Sequence, residues 1–279
     1  MLSAGSSSQV LWQNLRAPQL RALAAADATV FVPVGAMEQH GPHLPVQVDS
    51  LLATEVATGA AELLSGELAS PTVVTPTVWT GLSEHHMALG GTFTLDLATY
   101  HSLLRGICRS IARHGFSRIV ILNGHGGNVT ALSNISQELG DELGLDILAM
   151  TYWTVDSVAA AMDGLLDQQA GVLHAGEAES SMLMHLRPEL VDEVARLAVV
   201  CPADATGLAP PGVGVAAAAG AAGKRFVRFT PTGVVGVPGA ATVEKGVALL
   251  ACARRGVSHE TLAWVNYCKE EAAKTSSKL

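Results

Sequence analysis

The sequence predicts an α/β fold with a mostly parallel central sheet and helices on both of its faces. Short apolar, β-rich runs alternate along the chain with longer segments of helical periodicity, and this order is typical of parallel sheets. The length of 279 residues is sufficient for one large domain with a substantial core. The sequence contains no internal repeat and no linker, so residues 1–279 are predicted to form a single domain.

Each predicted element follows from local pattern. Four apolar runs are predicted to be strands, at residues 29–34, 73–78, 118–122 and 145–153. Helices are predicted at 17–26, from Asp49 or Ser50 through Leu63, at 96–114, at 129–140 after Asn128 as an N-cap, at 177–186 and at 243–255. Segment 96–114 has the clearest apolar stripe, and Gly115 stands where a glycine commonly ends a helix. Residues 207–223, rich in Ala and Gly, are predicted to be a loop.

Composition and charge exclude several classes of function. The net charge is -8 and no basic cluster is present, so a nucleic-acid partner is not expected. No apolar stretch reaches the ~20 residues that a membrane-spanning helix needs. The first residues lack the pattern of a signal peptide, which predicts a cytoplasmic protein. The four cysteines are far apart and indicate neither a thiolate metal site nor a disulfide framework.

A polar loop follows the first predicted strand and carries three side chains of the metal-ligand type. Strand 29–34 leads into Glu38 and His40, and Asp49 comes shortly after them. Carboxylates and imidazoles together bind divalent cations such as Zn²⁺ or Mn²⁺. Since the packing of a core does not need these side chains, the loop predicts a metal site.

A second polar loop, NGHGGN, directly follows the predicted strand 118–122 and contains His125. Because the carboxyl ends of parallel strands meet at one edge of a sheet, the two loops are expected to form one site. A lone histidine at a strand end is usually a surface or hydrogen-bonded residue. We keep that interpretation for five other histidines, His43, His101, His114, His185 and His259.

A third cluster, HAGEAESS, begins at His174. If 177–186 is helical, Glu179 lies on the apolar stripe of that helix, where a carboxylate is costly unless it is paired or bound to metal. Glu177 points elsewhere and is predicted to be an outer-shell or solvated residue. Glu179 is therefore the better candidate ligand, and His174, just before the helix, is a candidate proton shuttle.

A fourth cluster, Gly81 to His86, has two interpretations that composition alone does not separate. It is either a polar surface loop or a substrate-binding loop, because binding residues concentrate on loops. In the second interpretation Ser83, Glu84 and His86 orient the substrate.

These motifs together resemble the creatinine amidohydrolase (creatininase) family. The resemblance rests on VPVGAMEQHGPHLPVQVD, GLSEHHMALGGT, ILNGHGGN, HAGEAESS and GVVGVPGAATVEKG, and it covers about residues 10 to 255. It implies a three-layer α/β/α sandwich, a site for two divalent metal ions and a homo-oligomer, often a hexamer. It also implies that Glu38, His40, Asp49 and His125 are ligands, with Asp49 bridging the ions, and that His174 is the catalytic histidine.

The chain departs from the creatinine-hydrolysing members at two places. Their second loop reads NGHYEN and its Glu is a metal ligand, whereas this chain has Gly127 there. They also carry a Trp-Asp pair before the catalytic histidine, and residues 167–173 contain no Trp. Glu179 is then expected to complete the second metal site. Trp153 matches an aromatic position of the family and either stacks on a planar substrate or packs in the core.

The resemblance implies attack of a metal-activated water on an amide carbonyl. His174 would carry the proton to the leaving nitrogen, and the N–H groups of Gly126 and Gly127 would stabilise the oxyanion. The leading hypothesis is hydrolysis of a non-peptide C–N bond in a small cyclic amide, and Zn²⁺, Mn²⁺ and Fe²⁺ all suit the ligands. Alternatives are deformylation of a formamide, trimming of a small peptide, or a non-enzymatic metal-binding scaffold subunit.

Overall fold

The computed structural model describes residues 10–200 and 226–276, with a four-stranded sheet at its centre. The strands are β1 (Thr29–Val34), β2 (Thr72–Val74), β3 (Arg118–Asn123) and β4 (Asp146–Thr151). Their order is β2-β1-β3-β4, and each neighbouring pair is parallel. The predicted parallel sheet is confirmed.

Helices of the described residues connect and follow the strands. They are α1 (Ala17–Ala25), α2 (Val48–Gly66), α3 (Leu97–Arg113), α4 (Val129–Leu143), α5 (Asp156–Asp163), α6 (Glu177–Leu186), α7 (Glu193–Ala198), α8 (Phe226–Phe229) and α9 (Val243–Ser276). Short 3-10 turns include Glu84–Leu89, Gly126–Asn128 and Tyr152–Thr154. None of these described helices combines the length and apolarity needed to cross a membrane. The loop predicted at 207–223 lies outside the described residues.

The sheet is covered on both faces, because alternate strand residues enter two separate cores. Val30 and Val32 of β1 pack with helices α1, α3 and α4 on one face. Phe31 of β1 and Val120 of β3 pack with α2, α5, α6 and α9 on the other. The architecture is therefore the predicted three-layer α/β/α sandwich.

Two predicted boundaries are wrong for reasons visible in the backbone. The second strand ends at Val74 instead of Val78, because Pro76 cannot donate to the ladder, and the chain returns to β1 only at an isolated bridge between Val34 and Val78. The last helix does not stop before Gly256. A Cβ atom at residue 256 would overlap Val158, so this glycine lets α9 approach α5 and does not end the helix.

Two predicted caps also have other roles. Helix α2 begins at Val48, so Asp49 and Ser50 lie inside its first turn. The Asn128 side chain does not cap α4. Its oxygen accepts from the Leu82 N–H at 3.0 Å and its nitrogen donates to the Gly35 carbonyl at 3.2 Å. Asn128 therefore ties the loop at residues 81–86 to the end of β1.

Candidate metal centre

The predicted ligands meet at the carboxyl edge of the sheet. Glu38 and His40 follow β1, Asp49 lies in the first turn of α2, and His125 follows β3. A Cβ atom at Gly124 would lie 2.5 Å from the Asp49 carbonyl oxygen, so the second loop can approach α2 only with a glycine here. The two loops therefore form one site, as their positions after neighbouring strands predict.

The imidazole of His40 has one nitrogen fixed by the backbone and one facing two carboxylates. Its Nδ1–H donates to the Glu38 carbonyl at 3.0 Å. Its Nε2 lies 3.1 Å from Asp49 Oδ1 and 3.7 Å from Glu179 Oε2. A carbonyl that fixes the tautomer and orients the other nitrogen is the usual outer-shell arrangement of a metal-binding histidine.

His125 has the same arrangement with its nitrogens exchanged. Its Nε2–H donates to the Leu82 carbonyl at 3.1 Å, with Ser83 Oγ at 3.2 Å. Its Nδ1 lies 2.9 Å from Asp49 Oδ2 and 3.3 Å from Glu38 Oε1. The two oxygens of Asp49 thus face two different histidines. Ser83, predicted to orient the substrate, contacts His125 directly.

Three carboxylates are buried together at this site. Glu38, Asp49 and Glu179 are 1%, 3% and 4% exposed. Burial alone would raise the pKa of Glu38, but the charge of His125 holds it well below its ordinary value. Burial raises the pKa of Glu179 to about 7. No Lys or Arg is among the described residues that line the pocket, so this negative charge lacks a permanent countercharge.

The ligand atoms form three compact sets. Within each set they lie within 4.8 Å of one another, and the sets are Glu38, His40 and His174; Glu38, His85 and His125; and His40, Asp49 and Glu179. Glu38 Oε2 has no hydrogen-bond partner among the described residues. Buried oxygens and imidazole nitrogens in this arrangement suit a divalent cation.

The two glutamates at the start of α6 have separate roles. Glu179 faces the site and accepts from the Ala175 N–H at 2.6 Å. Glu177 faces away from the site, as predicted, but the solvated alternative is wrong because it is fully buried. Its carboxylate accepts from the backbone N–H groups of Asp167 and Gln168 and lies 2.5 Å from Lys245 Nζ. Glu177 thereby fastens residues 167–176, which carry His174, to α9.

The Lys245–Glu177 pair gives a stability prediction. Lys245→Met leaves a buried carboxylate without its cation, so we expect the free energy of unfolding to fall by about 3–5 kcal/mol. Urea denaturation measures the change. Lys269→Met, on an exposed position of the same helix, should change stability by less than about 0.5 kcal/mol. Equal effects of the two substitutions would contradict the prediction.

His174 lies where a proton carrier is expected. Its Nε2–H donates to the Gln39 carbonyl at 2.7 Å, so the unprotonated Nδ1 faces Glu38 Oε1 at 3.5 Å. Burial, reinforced by the charge of His40, lowers the pKa of His174 well below its ordinary value. A neutral imidazole that presents a lone pair to the site can accept a proton.

The pocket next to the carboxylates has an apolar wall. Trp153, Leu173 and Phe226 line it together with Val172 and Val235. Its cavity measures about 60 Å³, whereas one water occupies ~10–15 Å³ in the same measure. The space therefore accommodates a reacting group and a water at once.

The remaining predicted binding residues differ in their position relative to the pocket. Gly126, Gly127, His86 and Trp153 line the pocket, but Glu84 is exposed and does not. Glu84 points to solvent because it begins the 3-10 turn Glu84–Leu89, which turns the next two histidines inward. Sequence reasoning missed His85, which lines the pocket, although the His-His doublet was visible in the sequence.

Comparisons with known proteins identify the relatives of this chain. The family model Creatininase, described as creatinine amidohydrolase, matches residues 13–260. The chain is 34% identical over 242 residues to a mycofactocin precursor peptide peptidase of Mycolicibacterium smegmatis, covering 84% of this chain and 85% of that protein. It is 32% identical over 184 residues to a creatinine amidohydrolase of Pseudomonas putida, covering 61% of this chain and 68% of that protein.

Solved structures with the same fold include metal-loaded forms. A structure described as creatininase Mn superposes with a TM-score of 0.74 at 28% identity, covering 90% of this chain and 96% of that chain. A variant creatininase of the Zn-Zn type superposes with a TM-score of 0.73, also at 28% identity and with the same coverage. The family match from residue 13 to residue 260 and these structural likenesses lead to one conclusion: the chain belongs to the creatininase family and is a metal-dependent amidohydrolase that acts on C–N bonds.

Proposed function

We propose that this protein hydrolyses a C–N bond of a small uncharged amide, in the first instance a cyclic amide, with two divalent metal ions as cofactors. The placement of Asp49 carries the proposal. Its two oxygens lie 3.1 Å from His40 Nε2 and 2.9 Å from His125 Nδ1, and a carboxylate between two imidazoles suits a bridging role between two ions.

The residues fit two ions that share Asp49. Glu38 and His125 would hold one ion, and His40 and Glu179 the other. When bound, the ions lower the pKa of a water and so supply a nucleophile at neutral pH. Zn²⁺ is the first candidate and Mn²⁺ or Fe²⁺ also suit these donors.

The other site residues would handle the proton and the substrate. Nδ1 of His174 faces the carboxylates and would transfer a proton to the leaving nitrogen. The N–H groups of Gly126 and Gly127 precede helix α4, where they would bind the oxyanion. His86 and Trp153 would contact the substrate from the pocket wall. Ser83 would act through His125, whose Nε2 it contacts.

A short peptide is a second candidate substrate, favoured by the relatives. Mycofactocin precursor peptide peptidases of Mycobacterium ulcerans and of two strains of Mycobacterium tuberculosis are 32% identical to this chain over 233 to 249 residues. The apolar wall of the pocket suits an aliphatic or aromatic side chain next to the scissile bond. A phosphorylated substrate is disfavoured, since the described lining residues include no Lys or Arg.

Turnover of metal-replenished protein tests the proposal. We expect hydrolysis of at least one compound in a panel of cyclic amides, formamides and short peptides with apolar carboxyl-terminal residues. The product identifies the bond class and separates amidohydrolase, deformylase and peptidase. Full metal loading without turnover of any of these would instead favour the scaffold alternative.

Metal binding should release protons at pH 7. Burial alone would lower the pKa of His40, but the Asp49 carboxylate raises it to about 10 in the metal-free protein. A cation at His40 Nε2 must displace that proton. Burial alone would also lower the pKa of His125, but the charge of Glu38 raises it well above its ordinary value, so an ion at its Nδ1 displaces a second proton. We therefore expect release of about two protons and an affinity that rises with pH. Calorimetric titration in buffers of different ionisation enthalpy measures the release. An observed enthalpy that is the same in every buffer would contradict it.

We further propose that residues 1–279 form one domain, and that the enzyme works as a homo-oligomer, a hexamer by family resemblance, in the cytoplasm. Sedimentation of the purified protein tests the assembly. A monomer at micromolar concentration would contradict it.

A further inference from the structure

We propose that His85 is an additional protein ligand of the ion held by Glu38 and His125. The proposal rests on the metal site of the proposed function, but it concerns a residue that neither the motifs nor the comparisons assign. A ring nitrogen of His85 lies within 4.8 Å of ligand atoms of both Glu38 and His125. The residue is 8% exposed and lines the pocket.

The ring of His85 is held in place by stacking and its nitrogens are not occupied. It lies parallel to the ring of His125, with centroids 5.7 Å apart and an interplanar angle of 13°. Phe226 contacts the same ring in an edge arrangement, with centroids 5.8 Å apart and an interplanar angle of 86°. Among the described residues, none forms a hydrogen bond with the His85 ring. An imidazole that is nearly buried, oriented by packing and without a partner is available for a cation.

Gly127 provides the space that this ring occupies. A Cβ atom at residue 127 would lie 2.9 Å from His85 Cε1 and would overlap His125 Nε2 and the Leu82 carbonyl oxygen. The side chain that Gly127 lacks and the side chain of His85 therefore compete for one volume. In this chain the imidazole of His85 occupies that volume, next to Glu38 and His125.

His86, the neighbour in the sequence, has a different environment. Its Nε2 lies 3.5 Å from Glu38 Oε1, but its ring packs against His174 at 4.3 Å and Phe226 at 4.6 Å. It belongs to none of the three ligand sets. The structure thus assigns the role of metal ligand to His85 and the role of a residue of the pocket wall to His86.

Metal content and affinity of matched variants test the assignment. His85→Phe keeps a planar ring that can stack on His125 and removes the nitrogens, while His85→Ala removes both. We expect each substitution to lower the affinity for one of the two ions by about 100-fold or more. This exceeds the ~10–100-fold loss of affinity that is typical when an outer-shell residue is changed. His86→Ala should keep both ions, and so should His101→Ala, a half-buried histidine of α3 that faces Glu138 of α4 and lies outside the site. Elemental analysis after dialysis against a graded chelator gives the stoichiometry and the affinity.

A second readout is spectroscopic. In Mn²⁺-loaded protein, electron spin echo measurements count the coordinated imidazole nitrogens, and His85→Phe should lose one of them while the other site is unchanged. Wild-type affinity in His85→Phe, with the nitrogen count intact, would overturn the inference and leave the proposed function standing. A wild-type protein that binds no divalent ion would instead refute the proposed function itself.

Discussion

Asp49→Ala is expected to remove both metal ions and reduce turnover to background. Wild-type protein purified without chelator should contain about two divalent ions per chain. Among the described residues, Asp49 is the one whose two oxygens face His40 Nε2 and His125 Nδ1 at about hydrogen-bond distance. Loss of Asp49 therefore weakens the binding of both ions, whereas loss of a residue that binds one ion weakens the binding of that ion alone. Elemental analysis and the amide panel measure the two effects.

The control for this substitution is Asp163→Ala, at the exposed end of α5. It removes a carboxylate of the same type and should change neither the metal content nor the turnover. Circular dichroism verifies that each variant is folded. Two ions retained in folded Asp49→Ala would exclude the bridging role and leave the proposed mechanism without its nucleophile.

The sequence predicted those parts of the site that follow directly from strand ends. Glu38 and His125 come shortly after apolar runs that can only be buried strands, so their meeting at one sheet edge follows from parallel topology. Glu179 could be predicted because a carboxylate on the apolar stripe of α6 needs a partner. These inferences use only the hydrophobic periodicity of a helix or strand and the direction of the chain along it, and both can be read from the local sequence.

The parts that were missed depend on contacts between distant segments. Phe226 reaches the pocket from a segment with no motif, and no spacing rule relates it to His85. The solvated alternative for Glu177 is wrong because its partner, Lys245, lies 68 residues away in α9, where local pattern does not reveal it. Glu84 was predicted to bind substrate, but its orientation depends on the 3-10 turn. Tertiary packing decides such positions, and a single sequence does not contain it.

His174→Ala is expected to lower turnover by about 10²–10⁴-fold, the usual contribution of a general acid or base, while both ions stay bound. His174→Gln should be nearly as inactive, although its amide can still donate to the Gln39 carbonyl, because it cannot carry a proton at neutral pH. His101→Ala is the matched control and should be fully active. Turnover and metal content are measured on the same samples.

The metal content decides between two roles that the geometry offers His174. Its Nδ1 belongs to one ligand set with Glu38 and His40, so a metal ligand is the rival of a proton carrier. If His174 is a metal ligand, His174→Ala should also lose the ion that His174 binds, and activity should fall in proportion to the missing metal. If His174 is a proton carrier, His174→Ala should keep both ions and lose one limb of the pH dependence of turnover. The hydrogen bond from Nε2 to the Gln39 carbonyl suits both roles, because it leaves Nδ1 unprotonated and facing Glu38 Oε1, and the metal content of His174→Ala therefore makes the distinction.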